Sequence, residues 1–207
     1  MPSPFSIIGG LFVRALLWLG VLLSIWYWQR EVFALPASWL AGHAMEFFFP
    51  SWVAGVEQEG NMVVLLTRIT IFAEDGRMGT LTPEVRALTY CYGPPLFLAL
   101  LLASRAKGIW WKFPVGLLAM LPFQAWGISF DWLVDVAVHM ANLTSSVTRF
   151  TPLHANLFGL AYQLGFLLFP TLIPFLLWVY LERGFVATVA VDGAMAGMLE
   201  KNAPANP

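Results

Sequence analysis

A lone cysteine, Cys91, stands where a polar stretch runs into an apolar one, and His154 opens another apolar stretch just after Thr151-Pro152. A thiol attacks only as the thiolate, which needs a neighbouring base or cation to exist at neutral pH. His154 is the natural base for Cys91, and Arg149 offers a cation to an oxyanion or a substrate carboxylate. Gly93-Pro94-Pro95 behind the cysteine fixes the backbone as it enters a helix. The unpaired N–H groups of a helix start lower the pKa of a thiol placed there. The plain alternative is a buried structural thiol, a hydrogen-bonded histidine at a helix entry and a solvated arginine. With a single cysteine the chain holds no internal disulfide.

Asp131, Asp135 and His139 recur at every fourth residue, which lines them up on one stripe of a helix. Two carboxylates and an imidazole suit a divalent ion. No cysteine or second histidine at ligand spacing supports that reading, and a water-facing polar stripe accounts for the pattern. No metal and no cofactor is expected. Gln124 and Gln163 fall inside apolar sequence and are expected to line the interior between helices.

Composition places these residues in a membrane protein. Of 207 residues, 59% are hydrophobic and 11% charged, and the mean hydropathy of +0.72 lies far outside the range of a soluble domain of this size. Four apolar stretches stand out: residues 7–28, 94–103, 113–129 with an extension toward 140, and 157–181. A crossing takes roughly 20 residues, so the second stretch must begin at Leu88 or Tyr90 and carry Cys91 in its first turn. The expected fold is mainly α and integral to the membrane, with about four transmembrane helices. Trp26-Tyr27-Trp28, Trp110-Trp111, Trp178 and Tyr180 supply interfacial aromatic belts near the span ends.

Between the first two spans, residues 37–49 read as an interfacial helix. Trp39, Leu40, Met45, Phe47 and Phe48 share its apolar face, His43 and Glu46 lie elsewhere, and Pro50 ends it. Two β-prone runs over residues 53–72, turned at Gly60-Asn61, read as a small extracytoplasmic hairpin. Residues 73–82 read as an exposed loop and residues 83–86 as a helix start leading to Cys91. Arg105, Lys107 and Lys112 follow the second span with no acid among them, so that turn is expected in the cytoplasm. Residues 31–90 carry seven acids against three arginines and are expected outside. Four spans then put both termini in the cytoplasm, in keeping with Arg14, Arg183 and Lys201. The expected organisation is an N-terminal anchor over 1–30, an extracytoplasmic segment over 31–87, a three-helix membrane core over 88–183 and a cytoplasmic tail over 184–207. The net charge of −1 and the lack of any block of like charges exclude a nucleic-acid partner and leave the lipid bilayer as the first one.

Over residues 53–181 the order of features resembles the exosortase and archaeosortase family. These are membrane proteases and transpeptidases that act on C-terminal sorting signals with a Cys, an Arg and a His. The pieces that carry the resemblance are the hairpin, Tyr90-Cys91-Tyr92-Gly93 entering an inward helix, the turn Arg105-Ala106-Lys107, an outward helix over 117–128, and Leu153-His154-Ala155-Asn156 with Gly159. Where that family has Asn-x-x-Arg, this chain reads Phe123-Gln124-Ala125-Trp126-Gly127, so Trp126 stands in place of the arginine. The usual Cys-Ser-Gly is Cys91-Tyr92-Gly93. The size, the degenerate motif and the opening from Leu16-Leu17-Trp18 to Trp26-Tyr27-Trp28 look like the exosortase H-associated membrane proteins, which accompany a dedicated exosortase.

That resemblance implies an accessory membrane protein of a bacterial exosortase-type sorting system, in the inner membrane. Its implied protein partners are an exosortase and the hydrophobic C-terminal sorting-signal helix. The enzymatic alternative is an active cysteine peptidase or transpeptidase. Cys91 would attack a peptide carbonyl, His154 would serve as acid and base, and Arg149 would replace the missing cation. A structural subunit of an envelope or secretion complex, with the cysteine incidental, is the third reading.

Overall fold

The computed structural model describes residues 4–72, 78–189 and 191, so most of the expected cytoplasmic tail and the tip of the expected 73–82 loop lie outside the described residues. Two helices open the chain, α1 (Pro4–Trp28) and α2 (Arg30–Phe48). α1 is apolar save for Ser6, Arg14 and Ser24, and side chains such as Phe12, Leu17 and Tyr27 remain exposed on it, as lipid-facing residues do. Its packing is largely along α3 (Gly93–Ala103).

α2 begins at Arg30 rather than at residue 37, and it buries its small side chains. Ala34, Ala37, Ser38, Ala41, Gly42 and Met45 face the protein, while Trp39, Phe47 and Phe48 are exposed. Small residues let backbones approach closely, and large apolar ones lose nothing by facing lipid. A Cβ on Gly42 would come within 2.9 Å of Val56 Cγ2, so the glycine is what seats α2 on the sheet.

The hairpin forms as expected. β1 (Val53–Glu59) and β2 (Met62–Thr67) pair antiparallel from Glu59 opposite Met62, through Val56 opposite Leu65, to Val53 opposite Thr67, with a bulge near Val53 and Gly55. Gly60 makes the turn at φ +62, in the left-handed region that glycine enters without strain. β3 (Thr70–Phe72) pairs with β4 (Met78–Thr80).

The expected helix start at 83–86 is instead a third strand, β5 (Glu84–Arg86), and the sheet order is β1-β2-β5. β2 would otherwise leave its second edge unpaired. The pairing sets Val63 opposite Val85, and Leu65 N–H donates to Pro83 O at 2.9 Å just beyond the strand. Glu84 and Arg86 are exposed and Val85 is buried, which is the period of a strand.

A single 3-10 turn (Ala87–Thr89) leads through Tyr90-Cys91-Tyr92 to α3. That helix has 11 residues, about 16 Å at 1.5 Å per residue, roughly half of a 30 Å hydrocarbon core. The stretch expected as the second crossing is thus a short helix. Among the described residues three helices are long and apolar enough to cross a membrane: Ile8–Trp28, Ile109–His139 and Pro152–Leu181. The second is α4 (Ile109–Val134) with a π-turn (Asp135–His139) at its end. The third is α6 (Pro152–Gln163), a π-turn (Leu164–Leu168) and α7 (Phe169–Leu181) in line. α5 (Ala141–Thr148) joins them.

The helices close on two cores. The outer one, so called for its place beside the sheet, packs α2, the sheet, Tyr90 and Cys91 against the C-terminal half of α4. The inner one, at the end away from the sheet, gathers Phe97, Leu101, Met120 and Trp178 from α3, α4 and α7. Trp132 ties the outer core together, fully buried with its indole N–H donating to Val63 O at 3.2 Å. At the inner end Lys112 pairs with Glu182, and Trp178 donates to Ser104 Oγ at 3.1 Å.

Candidate functional site

Cys91 has no exposed surface. It lies in the link ahead of α3, whose first helical residue is Gly93, so the thiol stops short of the helix start that was to lower its pKa. Its backbone N–H turns back to Ala87 O at 3.1 Å. The side chain belongs to the outer apolar core. Sealed there, the thiol has no solvent contact through which to meet a substrate.

His154 is the third residue of α6 and is exposed. Its Nδ1 accepts from Thr151 N–H at 3.2 Å and lies 2.8 Å from Thr151 Oγ1, a capping box that closes the start of the helix. The ring sits beside Phe150 and Phe158. Arg149 is exposed as well. It ends α5 in the left-handed region at φ 54, with its backbone N–H on Ser145 O. Among the described residues no hydrogen bond joins Cys91, His154 and Arg149 to one another.

The acidic stripe divides into two pairs. Tyr90 donates to Asp131 Oδ2 at 2.8 Å, which ties the link ahead of α3 to the outer end of α4. Asp135 pairs instead with His139 Nδ1 at 3.1 Å across the π-turn. Among the described residues no three His, Cys, Asp or Glu side chains converge as a metal site would require. The Tyr90–Asp131 bond was not foreseen, and neither was the Lys112–Glu182 pair. Each joins residues far apart in sequence, and no local pattern announces such a partner.

Trp126 donates its indole N–H to Ala161 O at 3.0 Å and packs on Phe130 and Phe169. It also lines an apolar groove of about 540 Å³ between α2, α4 and α6, with Leu40, Phe49, Pro122 and Phe158 around it. An indole with its one donor already satisfied has no cation to offer an oxyanion. The two glutamines part company. Gln124 is 6% exposed, as expected of an interior polar group, whereas Gln163 is exposed. α4 and the π-turn after α6 cross so closely that a Cβ on Gly165 would stand 2.9 Å from Gly127 Cα. That crossing rotates Gln163 away from the interior.

Buried small residues at helix crossings, three long apolar helices among the described residues and a small sheet packed on the C-terminal half of α4 describe a membrane protein. No curated protein and no solved structure matches the chain. The family model described as exosortase H-associated membrane protein matches residues 6–185. With nearly the whole chain matched, this protein belongs to the exosortase H-associated membrane protein family.

Proposed function

We propose that this protein is an accessory subunit of a bacterial exosortase-type sorting system, acting by binding within the inner membrane rather than by cutting peptide bonds. The observation that carries this reading is the burial of the would-be nucleophile: Cys91 has no exposed surface, while His154 is engaged at Thr151 on an exposed helix start. Trp126 in place of the motif arginine supports it, since a tetrahedral oxyanion there would meet an apolar groove. The degenerate exosortase-like core is then a scaffold. Its helix faces hold a sorting enzyme, or the hydrophobic sorting-signal helix on its way to that enzyme. In this reading α3 completes a fourth pass together with the chain before it, both termini lie in the cytoplasm, and the sheet lies outside.

The test is genetic and biochemical together. A C91A,H154A variant should support sorting at the wild-type level and co-purify with an exosortase that carries its own Cys, Arg and His. Loss of sorting in that variant, at normal abundance, would show that the two residues do chemistry here.

A further inference from the structure

We propose that the face of α6 bearing Asn156, Gly159 and Gln163 is the seat for a transmembrane helix of the exosortase partner, one that brings a hydrogen-bonding side chain to the Gln163 amide. This rests on the accessory reading and goes further by naming the surface. Asn156 and Gln163 are exposed, and neither side-chain amide has a hydrogen bond among the described residues. Gln163 lies about 22 Å along the helix from Trp178, at 1.5 Å per residue. Trp178 closes the inner end, so the amide falls inside a hydrocarbon layer of about 30 Å. The side chains around it, Leu160 and Leu167, are exposed and apolar. Lipid tails carry no donor or acceptor, so an amide held at that depth is stable only against polar protein groups.

The shape agrees with the chemistry. Asn156, Gly159 and Gln163 recur at the spacing of one helical face, and they line a groove of about 490 Å³ walled on its other side by Val134 and Val138. A Cβ on Gly159 would meet nothing within 4 Å, so the glycine opens the middle of the groove to an approaching backbone. A second copy of this chain is the poorer occupant. A two-fold contact would set the same concavity against itself, leaving both grooves unfilled.

The experiment places a photo-reactive phenylalanine analogue at position 160, in the groove, or at position 118, an exposed position on α4, and co-expresses each protein with an exosortase. In native membranes position 160 should give an adduct with the enzyme. A Q163L variant should recover about threefold to tenfold less co-purified enzyme, as expected for one interhelical hydrogen bond, while Q163N should retain most of it. The isolated leucine variant should melt where the wild type does, which separates lost docking from lost folding. If the enzyme couples from position 118 and not from 160, or co-purifies undiminished with the leucine variant, the face is wrong and the accessory reading stands. An adduct between two copies of this chain from position 160 would overturn the occupant. If no position couples to the enzyme and none of it co-purifies, the accessory reading falls and this surface falls with it.

Discussion

Cys91 and Gln163 reverse the roles their types suggest. The thiol, the more reactive group, is packed into a core with Trp132, Leu65 and Ala125, while the inert amide faces outward. The difference teaches that burial here follows packing rather than the reactivity of the side chain. Under the accessory reading proposed above, the exposed amide is where another helix supplies the missing hydrogen bond.

The sharpest way to break that contrast is to open the core. Trp132→Ala removes a fully buried ring and its bond to Val63 O and should cost about 3–5 kcal/mol, read as a large drop in melting temperature in detergent micelles. A mild effect would mean that the sheet is not anchored to α4 through this ring. Glu182→Leu leaves Lys112 nearly buried without its partner at the inner end and should cost about 3 kcal/mol. The double variant Glu182→Leu with Lys112→Met should recover much of that loss.

Smaller effects test the thiol itself. A membrane-impermeant maleimide should leave Cys91 unmodified at pH 7 and at pH 9 in spheroplasts, and modify it once the protein is unfolded. Rapid labelling of the folded protein would place an accessible thiolate where the core is drawn closed. The least effect is expected for His154→Ala, which removes one half of a solvent-exposed capping box and should cost about 1 kcal/mol or less.

Parts of the fold were legible because local chemistry dictates them. A run of apolar residues enters lipid whatever surrounds it, and Gly60-Asn61 between β-prone runs turns a hairpin by its own backbone preferences. β5 was not legible, because Pro83 and Glu84 carry a helix-start signal that only the unpaired edge of β2 overrides. The extent of α3 was less legible. Hydropathy runs on through Tyr90 and Cys91, but the chain passes from a 3-10 turn at Ala87–Thr89 to regular α-helix only at Gly93.

The sequence by itself determined that the protein lives in a membrane, where its long helices lie and to which family it belongs, since hydropathy, aromatic belts and motif order are properties of the chain alone. Only the tertiary structure decided that Cys91 is sealed, that His154 closes a helix and that Gln163 turns outward. On helices apolar all the way round, hydrophobicity does not choose a face. The choice falls to shape, to where Gly127 and Gly165 let two backbones approach, and no residue carries that information without its neighbour.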